Sequence, residues 1–229
     1  MTIQPLHVAH KNAVNAAMLA GPNANPSLAN MGSVTNFDRN ATIFHEGDAA
    51  DYSYKVVAGA IRLSKMMSDG RRQVAEFALS GDFIGLNWLD EHAMTAEALT
   101  DVTLIAYTRG RLERLGDENQ AIRAELFSTL RHDLWAAHNH LVLLGRQSAL
   151  ERVACFLLEM RRRSPNTDKT TIAVPMTRRD IADYLGLTIE TVCRMLTRLK
   201  QMGVIDIPDR HTIAVRNLAG LRHAAEPEA

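Results

Sequence analysis

The sequence predicts an α+β protein in which a β-rich domain comes first, one long helix follows, and a small helical domain ends the chain. Three observations support this prediction: glycine-bounded apolar runs between residues 42 and 107, a helical period between residues 122 and 144, and two short helical patterns that meet at Gly186. Apolar runs bounded by turns are typical of strands, whereas spacing by threes and fours is typical of helices. With 229 residues, the chain suits two small domains better than one large one.

The composition is ordinary for a soluble globular protein, with 46% hydrophobic and 23% charged residues. No apolar run approaches the roughly 20 residues that span a bilayer, and polar residues interrupt the stretch over 1–20, which is unlike a signal peptide. Cys155 and Cys193 are too few for a disulfide framework, which fits a reducing compartment. We therefore expect a cytoplasmic protein with no membrane segment.

The charge of the chain is unevenly distributed, although the net charge is zero. Residues 1–144 hold 12 Lys and Arg against 16 Asp and Glu, a net charge of −4, and residues 145–229 hold 14 against 10, a net charge of +4. A basic C-terminal part is what contact with nucleic acid requires, because phosphate neutralisation dominates affinity. The alternative is a chance asymmetry among solvated side chains.

Changes of pattern along the chain predict four segments. A mobile arm covers residues 1–30, where Asn, Ala and Pro show no clean period. A β domain follows over 31–115, a long helix over 116–145, and a C-terminal domain over 146–229.

The predicted β domain contains short apolar runs separated by turn residues. The runs include Tyr54–Val57, Ala60–Leu63 and Gln73–Phe77, and the glycines that bound them are at 47, 59, 70, 81 and 85. Gly70 ends a Ser-Asp-Gly hairpin turn, where glycine supplies the positive φ that such turns need. Short strands at this spacing predict a sandwich or a barrel.

The long helix has a narrow apolar seam. Its members, spaced by threes and fours after Ile122, are Leu126, Leu130, Leu134, Ala137, Leu141 and Leu144. A helix of this length with such a seam usually pairs with a copy of itself, so we expect a homodimer. The alternative is a helix that lies on its own domain. A second helix is predicted over Ala149–Arg162.

The most informative stretch begins at Thr177. Thr177 and Asp180 have the spacing of a capping box, Gly186 permits a tight turn, and Thr188 caps a second helix. Two short helices joined by a glycine-bearing turn predict a helix-turn-helix. The runs Val204–Ile207 and Thr212–Val215 predict a two-stranded wing after it. The alternative is a helical hairpin that does not bind DNA.

The first turns of the second helix are where this motif meets base edges. Glu190 and Arg194 are four residues apart and share a face, so they can read a G·C pair from both strands and hold each other in place. An ordinary surface ion pair is the alternative. The remaining residues that the motif places at base edges are Thr188, Ile189, Thr191 and Cys193. The predicted phosphate contacts are Arg178, Arg179, Thr191, Arg198 and Lys200.

The motifs resemble those of the CRP/FNR superfamily of bacterial regulators over about residues 37–218. The glycines of Phe44–Gly47, Val57–Gly59 and Gly81–Gly85 fall at that family's jelly-roll turns, and Leu187–Arg194 is similar to its Glu-x-x-Ser-Arg pattern with Cys193 in the serine position. That substitution, with Ser68–Gln73, is most similar to the FixK-like group. The resemblance implies a cyclic-nucleotide-binding-like jelly roll, a dimerisation helix and a winged helix-turn-helix.

The same resemblance implies a function. Such regulators bind a TTG-N8-CAA type palindrome as homodimers, recruit RNA polymerase, and activate genes of low-oxygen respiration, denitrification and nitrogen fixation. We therefore expect double-stranded DNA, RNA polymerase and a second copy of the chain as partners.

The family's usual signals fit this sequence poorly. Leu86 and Met94-Thr95 stand where the Glu and Arg-Ser of a cyclic AMP site are expected, and Met cannot hold a phosphate. No cysteine precedes Cys155 to bind an iron–sulfur cluster, and the nine histidines show no haem motif. We expect no cofactor, no metal and no cyclic AMP. The alternatives are a haem- or small-ligand-responsive regulator, or a cupin-like enzyme, for which His45-Glu46 lacks a second His.

Cys193 is a candidate redox switch. It lies beside Arg194 and near the positive end of the recognition helix, and both features favour the reactive thiolate. An oxidised, anionic sulfur facing phosphates would oppose DNA binding. The alternative is that Cys193 only replaces serine as a small contact residue. Cys155, next to Phe156 and Leu157, is expected to be buried and inert.

Overall fold

A computed structural model describes Leu28 and residues 31–86, 90–146, 148–163 and 170–226. The chain forms two compact units, which are described separately. The first comprises Met1–Ile61 and Ala78–Leu130, and the second comprises Arg62–Phe77 and Arg131–Ala229. Apart from Leu28, the predicted arm over 1–30 lies outside the described residues. In the part of the chain that the structure describes, no helix is long and apolar enough to cross a membrane.

The predicted β domain is confirmed as two four-stranded sheets, with orders β1-β8-β3-β6 and β2-β7-β4-β5. The hairpin between β4 and β5 turns at Gly70, whose φ of 82° is the positive value that the turn requires. The strands are β1 Ser33–Phe37, β2 Thr42–Phe44, β3 Tyr52–Ala58, β4 Ala60–Met66, β5 Arg72–Leu79, β6 Phe83–Ile84, β7 Thr95–Ala98 and β8 Val102–Thr108.

The core of the first unit lies where β8 meets two helices, α1 (Arg109–Glu118) and the first turns of α2 (Gln120–Arg146). Tyr107 on β8 is buried, and its hydroxyl donates to the carbonyl oxygen of Leu28 at 2.9 Å. Ile122 is fully buried in the same cluster. The start of the long helix therefore packs on its own domain, which is the arrangement that the sequence left as the alternative to self-pairing.

The second unit contains the end of α2 and a small α+β domain. Its elements after α2 are α3 Ala149–Arg163, β9 Thr171–Ala173, α4 Arg178–Leu185, α5 Ile189–Gln201, β10 Ile205–Asp206, β11 Thr212–Val215 and α6 Leu218–His223. Leu157, Leu185 and Leu199 are fully buried and join α3, α4 and α5 in one core. The predicted helix-turn-helix is confirmed as α4 and α5.

The predicted two-stranded wing is instead a sheet of three strands in the order β10-β11-β9. The additional strand, β9, pairs antiparallel with β11 through Thr212↔Ala173 and Ala214↔Thr171. Three residues are too few to show a clear alternating period in the sequence, so β9 was not predicted.

Gly59 is the single residue between β3 and β4, and a substitution there tests how closely the chain is packed at this turn. Its φ is +96°, and a Cβ there would lie 2.5 Å from the carbonyl oxygen of Asp101. We expect Gly59→Ala to lower the free energy of unfolding by more than the ~1–2 kcal/mol that a left-handed conformation costs, because backbone must also move. Gly47→Ala is the matched control, since Gly47 has φ +87° and nothing within 4 Å. Equal losses in urea titrations of the two variants would contradict the clash.

Candidate nucleic-acid interface

Helix α4 begins with the predicted capping box, which the structure confirms. The hydroxyl oxygen of Thr177 accepts from the backbone N–H of Asp180 at 3.1 Å, and the Asp180 carboxylate accepts from the backbone N–H of Thr177 at 2.9 Å. Both contacts satisfy N–H groups that a helix start leaves unpaired. They fix the point at which the chain enters the helix-turn-helix.

The turn between α4 and α5 depends on Gly186 and Arg152. Gly186 has φ 62° and ψ 38°, the left-handed conformation that glycine adopts at a helix end. The guanidinium of Arg152 on α3 donates to the carbonyl oxygens of Leu185 and Leu144, each at 2.9 Å. One side chain therefore caps the last turns of both α4 and α2 with a positive charge, where the helix dipole favours it.

Helix α5 has one buried and one exposed face. Thr188 caps its start, since its hydroxyl oxygen accepts from the backbone N–H of Thr191 at 3.2 Å. The buried residues are Val192, Met195, Leu196 and Leu199. The exposed residues near its start are Thr188, Ile189, Glu190, Cys193 and Arg194. The structure thus brings five of the six residues predicted at base edges together on the solvent face, beside the partly exposed Thr191.

Ile189, which the sequence places among the residues at base edges, is 38% exposed at the first position of α5. An apolar side chain here can contact a thymine methyl group.

The predicted ion pair between Glu190 and Arg194 does not form within the described ranges. Hydrogen bonds from its own backbone N–H and from Thr188 lower the pKa of Glu190. Arg194 points instead towards the hydroxyl oxygen of Thr191, 3.5 Å from its Nη2. The unpaired N–H groups of the first helical turn attract the carboxylate more effectively than an arginine one turn away.

The predicted phosphate contacts differ in environment. Arg179 and Arg198 are exposed, whereas Arg178 is partly buried and its Nη1 has no hydrogen-bond partner among the described residues. Burial lowers the pKa of Arg178, and an electrostatic interaction with Cys193 opposes that shift. Lys200 lies apart from this group, because its Nζ pairs with Asp206 of β10 at 2.9 Å.

The carboxylate of Asp206 also pairs with Arg216, whose Nη2 lies 3.4 Å from Oδ2 of Asp206. Hydrogen bonds from Lys200, the Ile207 backbone and Arg216 lower the pKa of Asp206 to about 2. Lys200 is therefore attached to the wing in the free protein, and a phosphate would have to compete with this carboxylate for it.

Helix α2 exposes a large apolar surface. Leu134 is 58% and Leu141 67% exposed, whereas Leu126, Leu130 and Leu144 are half-buried. Further large exposed side chains on α2 are Phe127, Trp135 and Val142. Phe127 was missed in the sequence, although the series Phe127, Leu130, Leu134, Ala137, Leu141 and Leu144 keeps alternating steps of three and four. The exposed part of the seam fits a partner helix.

The first unit holds a cavity of about 570 Å³ between α1 and the start of α2. Its apolar wall includes Leu86, Leu112 and Leu126, and Arg109 and Glu113 are among its polar residues. Leu86 follows Gly85, where the family resemblance places a carboxylate. Among the described residues, no group of three His, Cys, Asp or Glu side chains is arranged to hold a metal ion.

Two family models match the chain. Residues 34–119 match the cyclic nucleotide-binding domain, and residues 151–224 match the Crp-like helix-turn-helix domain. The first match covers the sheets of the β domain, and the second covers the helices and wing described above.

Individual relatives agree with these matches. The chain is 38% identical over 198 residues to the nitrogen fixation regulation protein FixK of Azorhizobium caulinodans, covering 85% of this chain and 80% of that protein. It is 41% identical over 179 residues to FixK of Bradyrhizobium diazoefficiens, covering 77% and 76%. The structure of FixK2 from Bradyrhizobium japonicum matches with a TM-score of 0.80 at 38% identity, covering 86% of this chain and 99% of that one.

Proposed function

Because the chain belongs to the CRP/FNR family of transcription regulators and is similar to FixK, we propose that it activates transcription by binding a palindromic DNA site as a homodimer. The observation that supports this most directly is the exposed start of α5. It presents Glu190, Cys193 and Arg194 to solvent on a helix whose opposite face is buried. A helix of this kind can enter the major groove without disturbing its own domain.

The family resemblance supplies the sequence of the site, a TTG-N8-CAA type palindrome. Arg194 can donate two hydrogen bonds to guanine O6 and N7, and Glu190 can accept from the cytosine amino group. Both side chains are exposed, and among the described residues they do not form an ion pair with each other. We propose that RNA polymerase is recruited to this site, and that the genes controlled serve nitrogen metabolism, as the names of the FixK relatives suggest. Control of low-oxygen genes is what the family resemblance implies.

We further propose that cyclic AMP is not the signal. The side chain after Gly85 is Leu86, which cannot accept a ribose hydroxyl hydrogen bond, and Met94 cannot neutralise a phosphate.

The proposed base contact can be tested with two arginine variants. Arg194→Ala should cost about 1–3 kcal/mol of binding free energy on a TTG-N8-CAA duplex and little on random DNA, because base contacts discriminate sequence. Arg178→Ala should instead weaken binding to both duplexes and reduce the salt slope by about one, as expected for a phosphate contact. Fluorescence anisotropy titrations measure both quantities. Equal loss on the two duplexes for Arg194→Ala would contradict base reading.

The proposed homodimer can be tested on α2. A charge at Leu141, which is 67% exposed, should produce monomers that bind a palindromic duplex poorly, because both half-sites must be held at once. Asn139→Glu is the matched control, since Asn139 is exposed on the opposite side of the same helix. Sedimentation velocity distinguishes monomer from dimer. A dimer that survives Leu141→Glu unchanged would place the interface elsewhere.

We propose redox control through Cys193, which is a free and exposed thiol. Each peroxide molecule transfers one oxygen atom to sulfur and leaves as water, first giving a sulfenic acid and then a sulfinic acid. The sulfinate carries a fixed negative charge on the exposed face of α5, which would face DNA phosphates.

We expect peroxide to abolish DNA binding by the wild type and to leave Cys193→Ser active. Cys155→Ser is the control, because Cys155 is partly buried and its sulfur lies 3.7 Å from the Ala225 carbonyl oxygen. Anisotropy before and after treatment, with intact mass spectrometry of the oxidised chain, measures the effect. If wild type and Cys193→Ser respond alike, Cys193 is only a contact residue in the position of serine.

A further inference from the structure

Two arginines of the β4–β5 hairpin contact the first helix of the helix-turn-helix. Residues 62–77 belong to the same compact unit as α4 and α5. The Oδ1 atom of Asp180 accepts from Nη1 of Arg62 at 2.5 Å and from Nη2 of Arg72 at 2.7 Å. The side chain of Asp180 is only 2% exposed, so this contact is shielded from water. The hairpin is therefore attached to the start of α4.

Arg72 forms a second contact one turn along the same helix. Its Nε and Nη2 donate to Oδ2 of Asp183 at 2.9 and 2.6 Å. The planar fork of a guanidinium can bridge two carboxylates in this way, which a lysine ammonium cannot reproduce. Asp180 and Asp183 are three residues apart and lie on one side of α4. Arg72 thus fixes the rotation of the helix as well as its position.

Capping alone does not account for the arginines. The Oδ2 atom of Asp180 accepts from the backbone N–H of Thr177 at 2.9 Å and from its hydroxyl at 2.7 Å, which completes the cap. Burial opposes the ionisation of Asp180, but the Thr177 hydrogen bonds and the charges of Arg62 and Arg72 outweigh it, so its pKa is lowered. Among the described residues, the other oxygen, Oδ1, accepts hydrogen bonds only from the hairpin arginines Arg62 and Arg72.

A second group of contacts holds the hairpin segment at Phe77. The ring of Phe77 lies 5.1 Å from that of Tyr184 on α4 and 6.2 Å from that of Phe156 on α3. The carbonyl oxygen of Phe77 accepts from Nη1 of Arg163 at 3.0 Å. The ionic contacts of Arg62 and Arg72 and the aromatic contacts of Phe77 together leave the hairpin little freedom relative to α4.

We propose that Arg62 and Arg72 are positioning residues for DNA recognition, which hold α4 through Asp180 and Asp183 and so orient the recognition helix. This inference rests on the proposed DNA binding. Arg178 and Arg179 directly precede Asp180, so a change in the direction of α4 displaces two proposed phosphate contacts. The turn at Gly186 then transmits the same displacement to α5.

Direct contact of the hairpin arginines with DNA is the competing explanation. Their side chains are 15% and 22% exposed, and both are engaged with carboxylates. Two arginines and two aspartates sum to zero charge, so the cluster adds no attraction for phosphate. Positioning and direct contact therefore predict different salt dependence.

The first test compares Arg72→Ala with Arg71→Ala. Arg71 lies on the same hairpin, is 83% exposed and pairs with Asp69, so its removal costs the same charge without affecting α4. We expect Arg72→Ala to weaken binding to a TTG-N8-CAA duplex by roughly 5- to 150-fold, the range of a typical coupling between sites. Its salt slope should match that of Arg71→Ala. The specific affinity should fall more than the affinity for random DNA, whereas partial unfolding would reduce both alike.

Asp183→Asn provides a test that is independent of losing a positive charge. Its side chain is 20% exposed, and Asn preserves its shape, so the fold is retained even if Arg72→Ala unfolds. Removing a negative charge would strengthen DNA binding if only the electrostatic field mattered. Positioning predicts the opposite, weaker binding to the palindrome.

The outcomes separate the two proposals. If wild type does not bind the duplex, the proposed function is wrong. If wild type binds, three results would each overturn the positioning role alone. These are tighter binding by Asp183→Asn, equal affinities of Arg72→Ala and Arg71→Ala, and a salt slope for Arg72→Ala that is smaller by about one than that of Arg71→Ala. Circular dichroism shows whether each variant is folded. If Arg72→Ala is unfolded, the affinity of Asp183→Asn decides whether the positioning role holds.

Discussion

The second unit depends on one buried carboxylate, that of Asp180. A charge in this position would cost several kcal/mol if it were unpaired, on the order of 3–5 kcal/mol when a partner is removed. Each of its oxygens accepts two hydrogen bonds, one oxygen from Thr177 and the other from Arg62 and Arg72. The same group therefore starts α4 and joins it to the β4–β5 hairpin. Because a desolvated ion tolerates little displacement of its partners, the helix-turn-helix has a defined direction before it meets DNA.

The start of α5 can remain polar and exposed because the opposite face of the helix is buried. The helix obtains its stability from the apolar face of Val192, Leu196 and Leu199, so the opposite face contributes little to folding. Substitutions at Glu190 and Arg194, which are both exposed, would therefore leave the core of the domain intact. Their separation in the free protein means that any Glu–Arg contact is made on the DNA. The wing differs from the start of α5, because its Asp206 already forms ion pairs with Lys200 and Arg216 in the free protein.

The sequence predicted those features that depend on neighbouring residues. The turn at Gly70, the capping box at Thr177 and the two helices around Gly186 each follow from local rules of conformation, and the structure confirms them. It could not predict the contacts of Asp180 with Arg62 and Arg72, which are 118 and 108 residues away. A helical period likewise shows which residues share a face but not what covers it. The seam of α2 is accordingly buried on its own domain at Ile122 and exposed from Leu134 to Leu141.

Arg152 links this division of α2 to the proposed dimer. Its guanidinium donates to Leu144 near the end of α2 and to Leu185 at the end of α4, so the two helix ends are held by one group. If the exposed part of α2 pairs with a second copy, the interface is attached within a few residues to each recognition helix. The separation of two half-sites in a palindrome is a geometric property of such a dimer. The separation of the half-sites would then be set by the hydrogen bonds of Arg152 and by the contacts of Arg62 and Arg72 with Asp180, rather than by a flexible linker.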